Sequence, residues 1–213
     1  MKITQPTLRH SALTAVFACL LVALAHAETV SSIAQPTGSS MKMDGTSTIH
    51  DWTMESATIG GSIEADARFP DSALSDPKAA RPSVQAFLPV RSLKSDSKRM
   101  DEVMQKHMNA TTHPKIEYRV IELKPKSAAG TMGALQFDAV GALTIAGQTR
   151  TNTMPVTIEK LADKKLKISG TADLKMTDYG VEPPAPSILG LSPIKTGDEV
   201  KLTFVWVTAP KAP

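Results

Sequence analysis

By residue type, His50 and Asp51 are the pair in this chain best suited to acid–base or metal chemistry, an imidazole beside a carboxylate. Adjacent residues of an extended segment point to opposite faces, so such neighbours do not form a dyad by proximity alone. The plainer reading is that both satisfy hydrogen bonds of a turn beside Trp52; a hydrolase built on His50 is the enzymatic alternative. His107 and His113 lack an H-x-x-x-H spacing, and Asp178, ahead of Tyr179-Gly180, reads as a turn residue. No G-x-S-x-G, glycine-rich phosphate loop or zinc pattern is present, so the sequence does not read as an enzyme or a metalloprotein. Tyr118 and Tyr179 offer a different chemistry. Each joins an apolar ring to a hydroxyl, which suits the polar head of an otherwise apolar ligand; a buried tyrosine bonding only to backbone serves equally well.

Such side chains act only where the chain delivers them. Lys2, Arg9 and His10 precede a continuous apolar run, Ala12 to Leu24, which ends in Ala25-His26-Ala27, the small-x-small pattern of a cleaved export signal. The run is 13 residues long, short of the roughly 20 that cross a bilayer. Residues 1–27 are therefore expected to be removed and the remainder to work in the periplasm, with secretion beyond it as the variant. Cys19 is the only cysteine and lies inside the run, so the mature chain would have no disulfide or thiolate. A lipid-attachment role for Cys19 lacks the usual upstream leucine, and apolar residues continue after it. With 24 basic and 21 acidic residues, two of the basic ones before Ala27, the exported part has a net charge near +1. No basic block interleaved with aromatics appears, which argues against nucleic acid as a partner. Residues 28–40, polar with Pro36 and Gly38, read as a flexible leader; 41–208 read as one domain and 209–213 as a frayed tail.

Within 41–208 the dominant period is two. Met41 and Met43 alternate with polar residues, and Trp52 and Met54 follow an expected turn at Asp44-Gly45. Ile59, Gly61, Ile63, Ala65 and Ala67 share a parity, as do Val84, Ala86, Leu88 and Val90. Ile116, Tyr118 and Val120 alternate with Lys115, Glu117 and Arg119, the pattern of a half-buried strand. Leu143 with Ile145, Val156 with Ile158, Ile168 through Met176, and Val200, Leu202, Phe204 and Trp206 continue it. Small residues within these rows fit the taper of a small barrel, mark bends, or leave volume for a ligand. Pro155 puts a breaker near one strand, which is expected to begin only at Val156 or to lie at an edge.

One segment changes period. Met100, Val103, Met104 and Met108 recur at three and four, a helical stripe over 97–110. Ser95 or Ser97 offers an N-cap, Asp101 and Glu102 suit the start, and Lys106 and His107 suit the end. Pro114 stops it. Methionine adapts to irregular apolar partners, though plain core packing explains the stripe as well. Closely spaced strands with a single helix exclude a parallel sheet, which needs a crossover for each pair. What remains is an antiparallel barrel or sandwich.

The order of five motifs resembles the YceI-like family. They are Ser47-Thr48-Ile49-His50-Asp51-Trp52; Ser92-Leu93-Lys94-Ser95 with Met100-Asp101 and Met104; His113-Pro114-Lys115-Ile116-Glu117-Tyr118; Gly141 to Thr149; and Lys175 to Pro184 followed by Lys195 to Val200. The resemblance covers about 41–207 and implies an all-β, antiparallel, eight-stranded, lipocalin-like up-and-down barrel with one short α-helix. It also implies an apolar tunnel for an isoprenoid or similar amphiphile. The residues expected to line that tunnel are Leu88 and Val90, then Met100, Met104 and Met108 of the helix, then Ile116, Tyr118 and Val120. Leu143, Ile145, Leu174, Met176, Tyr179, Leu202 and Phe204 complete it, with Ile188 as a gate or plug in the proline-rich stretch 183–191. No cofactor is required, a quinone-like lipid fits as well as an isoprenoid, and transient contact with a membrane surface or membrane protein is compatible, as monomer or dimer. The competing reading is a solid-core barrel that acts through its surface on a membrane complex under stress, with no lipid.

Overall fold

The computed structural model describes residues 28–78, 81–185 and 194–212. Alternation places most of them in ten antiparallel strands: β1 (Thr29–Ala34), β2 (Ser40–Ser47), β3 (Trp52–Ser56), β4 (Gly60–Asp66), β5 (Ser83–Pro89), β6 (Lys115–Pro125), β7 (Leu135–Ile145), β8 (Gln148–Lys160), β9 (Leu166–Lys175) and β10 (Thr196–Pro210). Eight of them, β1 and β4 to β10, form a closed ring, because the end of β10 pairs with β1 through Ser32↔Pro210 and Ala34↔Thr208. Closure pairs β1 on both sides, with β4 and with the end of β10, so the sheet does not end there. The β2–β3 hairpin attaches to the earlier part of β10, with Met43 opposite Leu202 and Met41 opposite Phe204.

Local sequence explains the register. β7 and β8 meet through Ala146-Gly147, both at positive φ (48° and 81°), the two-residue turn whose twist matches antiparallel strands. In β6 the alternation slips once between Val120 and Glu122, turning Ile121 out to 60% exposure and returning Leu123 to the interior. Two helices punctuate the ring: α1 (Asp71–Ser75), which follows β4, and α2 (Lys98–His107), which follows β5. α2 is the helix the methionine spacing requires; α1 is a single turn that the sequence reading does not contain.

Four expectations need correction. Thr29–Ala34 is not a loose leader but the strand that closes the barrel, bonded to β4 on one side and β10 on the other. Its inward residues, Val30, Ser32 and Ala34, carry no strong apolar alternation, so its place comes from backbone pairing on both edges. Ala209 and Pro210, assigned to the tail, belong to β10 for the same reason. Asp44-Gly45 is not a turn. β2 runs through it to Ser47, with Gly45 paired to Val200 on one side and Trp52 on the other, and the Trp52 ring lies across it, where a Cβ would collide. β8 starts at Gln148 rather than Val156 and pairs with β7 on one side throughout; only its ladder with β9 begins at Val156.

Candidate ligand-binding site

Because α1 follows β4 and α2 follows the next strand, the two helices sit at opposite ends of an antiparallel barrel. The α1 end is packed solid: Phe69, Leu74, Leu135, Phe137 and Trp206 are buried, Leu135 and Phe137 at 1% and 0% exposure. Towards the α2 end the inward rows change character. Met41, Met43, Ile116, Tyr118, Leu202 and Phe204 face inward by parity and pack on the core, yet each is only half-buried. Lys115, Glu117, Arg119, Lys201 and Thr203, on the opposite parity, are exposed.

Of the residues expected to line an apolar interior, Leu88, Val90, Met104, Met108, Leu143, Leu174 and Tyr179 are buried in one contiguous core. Met100, Ile116, Tyr118, Ile145, Met176, Leu202 and Phe204 pack against it from partly exposed positions. Val120 is half-buried beside the β6 bulge and outside that cluster, and Ile188 lies outside the described residues.

The methionine helix is held by polar contacts at its start. Ser97 is the N-cap and accepts the Met100 N–H at 3.4 Å. Asp101 is buried and accepts the Ser95 N–H and hydroxyl, both at 2.8 Å, with Lys94 Nζ at 3.5 Å. Burial by itself pushes the Asp101 pKa up, but Ser95 and Lys94 outweigh it and hold the group below the ordinary carboxylate value. Lys94 also exchanges two backbone hydrogen bonds with Glu55, both 2.8 Å, which ties the approach to α2 to strand β3. At the far end of the helix His107 Nδ1 lies 2.9 Å from the Glu182 carbonyl.

The two tyrosines differ. The Tyr118 hydroxyl donates to the Ala139 carbonyl at 2.9 Å, and the ring covers Gly141, whose Cβ would have no room. Its proton is committed to backbone, and burial pushes its pKa up. Tyr179 is buried at the end of β9 in a 3-10 turn (Thr177–Tyr179), with its pKa raised by burial and then by Asp178. His50 is exposed, its Nδ1 2.7 Å from the Asp51 carbonyl, while Ser47 Oγ donates to the His50 carbonyl at 2.7 Å. That is the hydrogen bonding of a hairpin turn.

Sequence reasoning missed one place. The β8–β9 ladder runs only from Val156↔Gly170 to Lys160↔Leu166, so Gln148–Pro155 of β8 and Thr171–Lys175 of β9 pair away from each other. Over this split lies a cleft of about 1150 Å3 that reaches from Arg150, Thr151 and Asn152 across Asp173–Lys175 and Tyr179 to Asp44, Trp52 and Lys201. Asn152 has the inward parity of Met154, Val156 and Ile158, and its Oδ1 is buried with no hydrogen-bond partner among the described residues. The available signal was a polar residue on an inward row, three positions before a proline.

A model of the YceI-like domain matches residues 25–208. The chain belongs to the YceI-like family. None of the curated proteins matches it. BcnA of Burkholderia cenocepacia is similar in structure and 19% identical, with a TM-score of 0.61 over 82% of this chain and 98% of that one. A polyisoprenoid binding domain from Saccharophagus degradans, implicated in plant cell wall breakdown, is 12% identical, with a TM-score of 0.63 over 85% and 99%. At these identities the likeness is one of fold, and the fold is the YceI-like barrel.

Proposed function

We propose that this YceI-like chain is an exported carrier, working in the periplasm, that holds an isoprenoid-like or other long amphiphilic lipid in the barrel interior. The observation that carries the reading is the half-buried inward row of Met41, Met43, Ile116, Tyr118, Leu202 and Phe204, packed on the same core as the methionine helix. Apolar side chains that face a closed ring yet are not fully packed offer surface to a slender apolar guest. Each buried methylene contributes about 0.8 kcal/mol, so a tail of about ten gains roughly 8 kcal/mol before ordering costs. Met100, Met104 and Met108 suit a guest of irregular outline. The polyisoprenoid binding domain with the same fold supports the choice of ligand class. The solid α1 end limits the cargo to the α2 half; if packing were equally tight there, the barrel would act through its surface, as the second reading holds.

Organic extraction of the purified mature protein followed by mass spectrometry is the direct test. The carrier reading expects a long-chain lipid at near one equivalent. Protein that yields none, and takes none up from lipid vesicles, overturns it.

A further inference from the structure

We infer that the split between β8 and β9 is a polar side window onto the barrel interior, and that Asn152 there accepts a hydrogen bond from a neutral hydroxyl or amide head of the bound amphiphile. The inference rests on the carrier reading and adds where the head goes and what chemistry it has.

The window has definite limits. At one end Gly170 closes on β8, where a Cβ would stand 2.8 Å from the Pro155 carbonyl oxygen. Pro155 has no N–H, and the paired ladder begins only with the next residue. At the other end the turn after β9 folds back across the gap, where Arg150 Nε donates to the Asp178 carbonyl at 2.9 Å. Between these limits the two strands present edges to each other without pairing.

Asn152 sits in this interval on β8, directly opposite Gly141 of β7, the residue under the Tyr118 ring. Its Oδ1 is buried and lacks a partner among the described residues, whereas buried side-chain oxygens are normally satisfied. An amide oxygen only accepts, so its complement is an O–H or N–H. Leu174 and Tyr179, both buried, supply an apolar floor next to it, and the half-buried row of the lumen continues inward. The sign of the rim selects further. Asp44, Asp51, Asp173, Asp178 and Glu199 line the cleft against Arg150, Lys175 and Lys201; with Asp44 paired to Lys42 at 2.9 Å, four carboxylates still face three cations. That excess opposes a phosphate or carboxylate head and leaves a neutral donor as the favoured one.

Farnesol, farnesyl methyl ether and farnesyl phosphate share a tail and differ in head, so their dissociation constants for the mature protein test the site. The alcohol is expected to bind about tenfold tighter than the ether, the loss of one hydrogen bond, and tighter than the phosphate. Asn152→Leu is expected to bring alcohol and ether within about twofold of each other by weakening the alcohol alone. Equal binding of alcohol and ether by the wild type overturns the head assignment and leaves the carrier reading standing. So does a preference that persists in Asn152→Leu. The wild-type comparison needs no variant to fold. If none of the three probes binds, the head assignment is overturned, while the carrier reading is decided separately by the extraction and vesicle experiment.

Discussion

Truncating Asp101 to alanine tests how the methionine helix is held at its end of the barrel. The carboxylate is buried and accepts two hydrogen bonds from Ser95 at 2.8 Å, one from backbone N–H and one from the hydroxyl. In the alanine variant the hydroxyl keeps the Ser97 carbonyl at 3.0 Å, but the Ser95 N–H loses its acceptor. A hydrogen bond to a charged group is worth about 1.5–3 kcal/mol, so the expected loss is about 3 kcal/mol. At roughly 2–4 °C per kcal/mol for a domain of this size, Tm falls by about 6–12 °C. Asp101→Asn keeps the shape and one acceptor oxygen and loses about 1–2 kcal/mol. The pH dependence has a fixed sign. The folded pKa lies below the ordinary 3.8, so the stabilisation is fully present above that value and is lost as pH falls through the folded one. Urea melts followed by tryptophan fluorescence at pH 3 to 7 measure this. The gap between wild type and Asp101→Asn is expected to be constant from about pH 5 to 7 and to shrink below about pH 4. An alanine variant within 0.5 kcal/mol of wild type at pH 7, a change as small as an ordinary surface substitution, would refute the reasoning. So would a gap that widens in acid.

Tyr118→Phe removes the bond to the Ala139 carbonyl; stability is expected to fall by about 0.5–1.5 kcal/mol in a denaturant melt while lipid retention is unchanged. Gly170→Ala drives a methyl towards Phe204 and the Pro155 carbonyl, each 2.8 Å from the new carbon. A loss of about 1–3 kcal/mol is expected, and Phe204→Leu in the same chain is expected to recover part of it. Ala86→Phe places a ring on a half-buried inward position opposite Tyr118; co-purified lipid, read by mass spectrometry, is expected to drop at least fivefold, the effect of about 1 kcal/mol, with Tm nearly unchanged.

Where side-chain period alone decides the outcome, the chain could be read directly. Ile116, Tyr118 and Val120 alternate against Lys115, Glu117 and Arg119, and they form the inward face of β6. The three- and four-residue spacing of Met100, Val103, Met104 and Met108 marks α2, capped by Ser97 at its start and by Met108 at its end. What escaped reading depends on partners distant in sequence. β1 shows no apolar row and is a strand because β4 and β10 bond both its edges. Asp44-Gly45 has turn composition, yet stays extended under a ring contributed by the facing strand. Asn152 looks like an ordinary polar residue until the parity of β8 and the missing β9 partners put its oxygen inside. Only the position of the proline hinted at that gap.

The seam of the barrel joins Ser32–Ala34 to Thr208–Pro210, segments from the two extremes of the described chain. During synthesis β1 must wait for the last strand to emerge before the circle is complete. Loop closure over that separation is slow, and meanwhile a long apolar sheet stands open along one side. On the carrier reading, an open sheet of this kind gives a lipid an access that a finished barrel does not, so cargo present while the chain folds is wrapped in rather than threaded in.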